Sequence, residues 1–67
     1  MKVEGRFVRR EREVLGLSHM KLAEESGITV HELRCIEDEV PLDLPEAIVE
    51  RLATALGITA EDLRKEG

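Results

Sequence analysis

Apolar residues recur along this chain at intervals of three and four, and no four successive residues alternate convincingly between apolar and polar. That period belongs to amphipathic helices and leaves little from which to build a sheet. Glycines, prolines and small hydroxyl residues cut the pattern into short pieces, so the expectation is an all-α bundle of five helices. Its 67 residues form one domain, 1–67, and a chain of this size buries only about 60% of its unfolded surface. Lining a pocket of several hundred Å³ on all sides is hard with so little chain, which argues against an enzyme. The longest apolar run is three residues, giving neither a membrane span nor a signal-peptide core.

Local signals place the pieces. The first helix is expected from about Val3 to Leu15, with Phe7, Val8, Val14 and Leu15 on its inner arc and Gly16 as the stop. Glu11 falls inside that arc without an evident partner, and Gly5 weakens the first turn by about 1 kcal/mol relative to alanine. Ser18 suits an N-cap for a second helix from His19 to Glu25, and Gly27 suits a left-handed turn. Thr29 caps a third helix from Val30 to Asp38. The loop 39–45 carries both prolines, with Pro45 in the first turn of a fourth helix. Ile48, Val49, Leu52, Ala53 and Leu56 stand at core spacing there, before Gly57; Thr59 caps a last short helix carrying Leu63.

The second and third helices hold the most specific pattern. A small residue, Ala23, stands where two steeply crossing helices would approach, and Gly27 reverses the chain. Leu22, Ile28, Leu33 and Ile36 form a shared apolar wedge. This spacing resembles the helix-turn-helix of the phage repressor/Cro-like (XRE) family over about residues 7–64. "Leu-Gly-Leu-Ser" at 15–18 is similar to the family's entry into helix two, "Leu-Ala-Glu-Glu-Ser-Gly-Ile-Thr" at 22–29 to its turn, and "Ile-Glu" at 36–37 to the end of its recognition helix. "Leu-Ala-Thr-Ala-Leu-Gly-Ile" at 52–58 resembles the fourth helix and its cap.

The resemblance implies a DNA-binding transcriptional regulator, dimeric on two half-sites about 34 Å apart. It implies backbone N–H groups of Ser18 and His19 at a phosphate. It also implies a recognition helix presenting Thr29, Val30, His31, Arg34 and Cys35 to base edges or flanking phosphates, with Lys21 on the same face. Arg12 and Glu37 match an ion pair that ties helix one to helix three in some members, a structural role.

Charge departs from that pattern. The chain carries 10 basic and 15 acidic residues, net −5. Residues 1–17 are net +2, with Lys2, Arg6, Arg9, Arg10 and Arg12 against three acids; residues 38–67 are net −5. His19 stands where the family commonly has Gln, and Asp38 and Glu39 stand where it tends to have Asn or Arg followed by Gly. Those acids lie near the expected phosphate, and phosphate neutralisation supplies most non-specific affinity. An alternative is therefore kept: the same fold as a protein-interaction module with weak or no DNA binding, docking through helix three or the acidic second half. A third reading is a metal- or redox-responsive switch, because His31 and Cys35 share a helix face and His19 could approach them. Three or four ligands make a zinc site, and no Cys-x-x-Cys accompanies this pair. No metal or cofactor is expected. One cysteine and no secretory segment point to a reducing cytoplasm.

Overall fold

The computed structural model describes residues 2–64, so both ends of the expected 1–67 domain lie outside the described residues. Five helices follow in order: α1 Gly5–Val14, α2 His19–Ser26, α3 Val30–Glu37, α4 Glu46–Leu56 and α5 Ala60–Leu63. The architecture is all-α. Outside the helices, Val3 and Arg64 form an isolated antiparallel bridge, and the N–H of Glu4 donates to the carbonyl of Leu63 at 2.7 Å. Among the described residues no helix is long and apolar enough to cross a membrane.

The caps do what their side chains allow. Ser18 accepts from the N–H of Lys21 at 3.0 Å at the start of α2, and Gly27 closes that helix at φ 76°. Thr29 and Glu32 form a reciprocal capping box on α3, with bonds of 3.0 and 2.9 Å. The Thr29 N–H donating to its carboxylate holds Glu32 below the ordinary glutamate range. That part of the cap therefore operates at neutral pH and is lost as pH falls through the folded-state value. Thr59 and Asp62 repeat the box on α5. Pro45 is the N-cap of α4 itself rather than a residue of its first turn.

Val8, Leu22, Leu33, Val49, Leu52 and Leu63 are fully buried. Ala23 is buried beside them, and Ile28 and Ile48 pack against the same core from its edge. The first helix departs from the sequence reading. It starts at Gly5, since Val3 is engaged in the bridge. Its inner face runs Gly5, Val8, Arg12, at intervals of three and four. Val14, nine residues after Gly5, lies on the opposite side at 100° per residue and is 73% exposed. Leu15 is the C-cap, also exposed. The expected arc thus splits: Val8 is fully buried and Phe7 packs against the core, Val14 and Leu15 do not, and Glu11 is half-buried at the edge of the inner face.

Gly5 itself is buried, and a Cβ there would fall 1.8 Å from the carbonyl oxygen of Ile36. The residue that locally weakens α1 is what lets α1 meet the end of α3. Glu39 joins the same contact: its Oε1 accepts from the N–H of Arg6 at 2.9 Å, capping α1 from 33 residues away. Glu39 does so from a left-handed backbone, φ 62°, costing about 1–2 kcal/mol for a residue bearing a Cβ. Glu39→Gly relieves that strain while losing a cap bond of similar size. Glu39→Ala loses the bond and keeps the strain. The expected order of stability in urea unfolding is therefore wild type and Glu39→Gly close together, with Glu39→Ala below both by about 1–2 kcal/mol and a correspondingly lower midpoint. Equal midpoints for the two variants would contradict this account of Glu39.

Candidate nucleic-acid interface

The end of α1, the start of α2 and the end of α3 converge on one carboxylate. Glu37 is buried, with 3% of its side chain exposed. Arg12 Nε donates to its Oε2 at 2.8 Å and Arg12 Nη2 to its Oε1 at 3.2 Å. The remaining Arg12 nitrogen, Nη1, donates to the carbonyl of Leu17 at 2.9 Å, holding the α1–α2 connection. The hydrogen bond to Glu37 raises the Arg12 pKa above its ordinary value, against the opposing effect of burial. His19 completes the group, its Nε2 3.1 Å from Glu37 Oε1. A carboxylate can only accept, so this nitrogen carries the proton. The family resemblance implied the Arg12–Glu37 pair; the third member, His19, was expected to face phosphate or to approach His31 and Cys35, not to bond Glu37.

Arg9, Arg12, His19, Arg34, Glu37 and Asp38 line an open recess of about 250 Å³ over this group. Three guanidiniums against two carboxylates leave its wall at net +1 with His19 neutral. A shallower groove along α1 adds Arg6 and Arg10 but also Glu13 and Glu39. The net positive charge is therefore confined to the recess, on a chain of net −5. Glu39, read from sequence as a charge opposing phosphate, spends its carboxylate on the α1 N-terminus. Asp38 remains exposed at the rim.

The other candidates follow α2 and α3. Lys21 is exposed and paired with Glu25 at 3.3 Å, a surface pair of small energetic value. Thr29 and His31 are exposed, while Val30 is half-buried against the core. Arg34 is exposed and, among the described residues, forms no ion pair with Glu32 or Glu37. His31 Nε2 lies 3.7 Å from the Sγ of half-buried Cys35. His19 is turned to Glu37 rather than to that pair, and among the described residues no three potential metal ligands come together.

A model of the helix-turn-helix domain matches residues 7–63. The chain belongs to this family. Its helix-turn-helix is the α2–α3 unit, in line with the repressor-like resemblance read over about residues 7–64. Among curated protein sequences, none matches significantly. Solved structures similar to this helix-turn-helix domain include SinR in its complex with SinI, at 24% identity and TM-score 0.83, covering 94% of this chain and 61% of that one. The chain thus spans under two thirds of SinR as seen there. The N-terminal DNA-binding domain of SinR from Bacillus subtilis superposes with TM-score 0.81 at 24% identity, covering 92% and 90% of the two chains. The restriction-modification controller protein C.AhdI from Aeromonas hydrophila is 30% identical, with TM-score 0.79 and coverage of 90% and 89%.

Proposed function

We propose that this helix-turn-helix domain is a DNA-binding transcriptional regulator of the cytoplasm, working as a homodimer on double-stranded DNA. In this reading α3 lies in the major groove. Thr29, Val30, His31 and Cys35 face base edges, Arg34 and Lys21 face phosphates, and the N–H groups after Ser18 face a backbone oxygen. The observation that carries it is the net-positive recess between α1 and α3, set beside the outward face of α3 on an otherwise acidic chain. The DNA-binding domain of SinR and the controller protein C.AhdI share the fold, which supports the reading by analogy.

A second reading rests on a different observation. Val14, Leu15, Met20 and Val40 expose large apolar side chains, and SinR is known in complex with a protein, SinI. The same fold would then serve as a protein-interaction module.

Fluorescence anisotropy of a mixed-sequence duplex at about 50 and 200 mM salt separates the two. The expected result for wild type is micromolar binding that weakens with salt. Arg34→Ala is expected to bind more weakly and to reduce the slope of log K against log salt by about 0.9, one phosphate contact. Absence of binding at the lower salt, with protein at high micromolar concentration, rejects the DNA reading and favours the interaction module.

A further inference from the structure

We propose that His19 couples DNA binding to uptake of one proton, making the recess between α1 and α3 a protonation-dependent seat for a backbone phosphodiester. The inference rests on the DNA-binding reading above and adds to it a linkage that the fold alone does not imply. Its basis is the position of one imidazole. His19 Nε2 is committed to Glu37 Oε1 at 3.1 Å, and a third of the side chain remains exposed. Among the described residues, His19 Nδ1 makes no hydrogen bond. With Nε2 protonated, a neutral ring offers only a lone pair at Nδ1. A phosphodiester is an anion that can only accept, so the neutral ring presents it with the wrong partner.

Protonation reverses this. One proton from solvent adds to Nδ1, no other bond breaks, and the ring becomes a donor at both nitrogens. Imidazole is the side chain for which this change falls between about pH 5 and 8.

The surrounding charges set the sign of the coupling. The recess beside the ring is lined from α1 by Arg9 and Arg12, with Arg9 paired to Glu13 at 3.7 Å, and from α3 by Arg34, Glu37 and Asp38. From its own helix come the N-terminal amides and, one turn on, Lys21, whose charge is shared with Glu25. Without DNA, protonating His19 takes the recess wall from net +1 to net +2. A phosphate in the recess returns the wall to net +1 and supplies an acceptor for the new N–H. Anion and proton therefore each favour the other, and by linkage the affinity rises as pH falls. The commoner glutamine of the family has a donor but no proton to gain, so it would hold Glu37 without the coupling.

The test measures binding of a mixed-sequence duplex by anisotropy at pH 6.0 and 8.0, at two salt concentrations, for wild type, His19→Gln and His31→Gln. Wild type is expected to bind about fivefold more tightly at pH 6.0, with a salt slope steeper by about 0.9. His19→Gln is expected to bind at both pH values with the affinity of wild type at pH 8.0. His31→Gln removes the other histidine, which the DNA-binding reading places at the base edges; its absolute affinity is expected to fall while its ratio of affinities between pH 6.0 and 8.0 stays that of wild type. A pH response that survives in His19→Gln, or vanishes in His31→Gln, overturns the proposal while leaving the DNA reading intact. Binding by none of the three at either pH rejects the DNA reading and the proposal with it. Inorganic phosphate added without DNA distinguishes a free-anion site: suppression of duplex binding to wild type at low millimolar phosphate, beyond an equal ionic strength of chloride, assigns the seat to free phosphate and overturns the assignment to the DNA backbone.

Discussion

Glu37→Ala is expected to destabilise the domain by about 3–5 kcal/mol, toward the lower end, and to leave a measurable fraction unfolded near body temperature. The reason is the partner left behind. Arg12 has 11% of its side chain exposed, is always charged, and would keep only its bond to the Leu17 carbonyl. A domain of this length has a total stability of about 3–10 kcal/mol, so the loss is a large share of it. Glu37→Gln keeps the shape and an acceptor while removing the charge, and should fall between wild type and alanine. The double variant Arg12→Met, Glu37→Leu removes both charges, and much of the lost stability should return. Urea denaturation followed by far-ultraviolet circular dichroism checks all three. A Glu37→Ala loss within 1 kcal/mol of zero, against the expected several, would show that water reaches Arg12 easily and that the pair does not hold the three helices together.

That double variant also separates two roles of one carboxylate. Glu37 joins α1, α2 and α3, and it also orients His19. A leucine at that position can restore packing but cannot accept from an imidazole. Recovery of stability is therefore compatible with loss of any pH response in DNA binding. The charge pair is a structural device and an orienting device at once, and only the first has an apolar substitute.

How much of this was legible in the sequence depends on what each residue type signals. The α2–α3 unit, its caps Ser18, Gly27 and Thr29, and the core face of α4 were all readable. They rest on local chemistry: a hydroxyl meeting a backbone N–H three residues on, a glycine in a left-handed turn, apolar residues at helical spacing. The first helix was readable only in its first half, where Val8 is buried and Phe7 packs against the core. The rest of its inner face is a glycine and an arginine, so a search for apolar residues adds Val14 and Leu15, which are exposed. Glu39 misled for a related reason. Its acidity suggests repulsion of phosphate, but its carboxylate is engaged by a backbone N–H 33 residues earlier, a contact that only the fold creates. The same holds for His19 and Glu37, 18 residues apart.

Gly5→Ala puts this difference between local and tertiary physics to a test of sign. Local propensity alone makes alanine better than glycine in a helix by about 1 kcal/mol, so a reading of α1 in isolation expects a more stable protein. Tertiary contact expects the reverse. An alanine Cβ would lie 1.8 Å from the carbonyl oxygen and 2.9 Å from the carbonyl carbon of Ile36. Both are backbone atoms at the end of α3, which cannot rotate aside as the tip of a side chain can. Either α1 or α3 must move, and the Arg6–Glu39 cap and the Arg12–Glu37 pair tie the same two helices. Overpacking of this kind costs about 1–3 kcal/mol or more, and loss of the cap adds about another 1 kcal/mol. The net expectation is a destabilisation of about 2 kcal/mol after the propensity gain, which for a domain of this size lowers the melting temperature by roughly 8–16 °C. Thermal unfolding of the single variant decides between the two. A melting temperature at or above that of wild type would mean that α1 can shift away from Ile36 at little cost, and that the close approach is incidental to the fold.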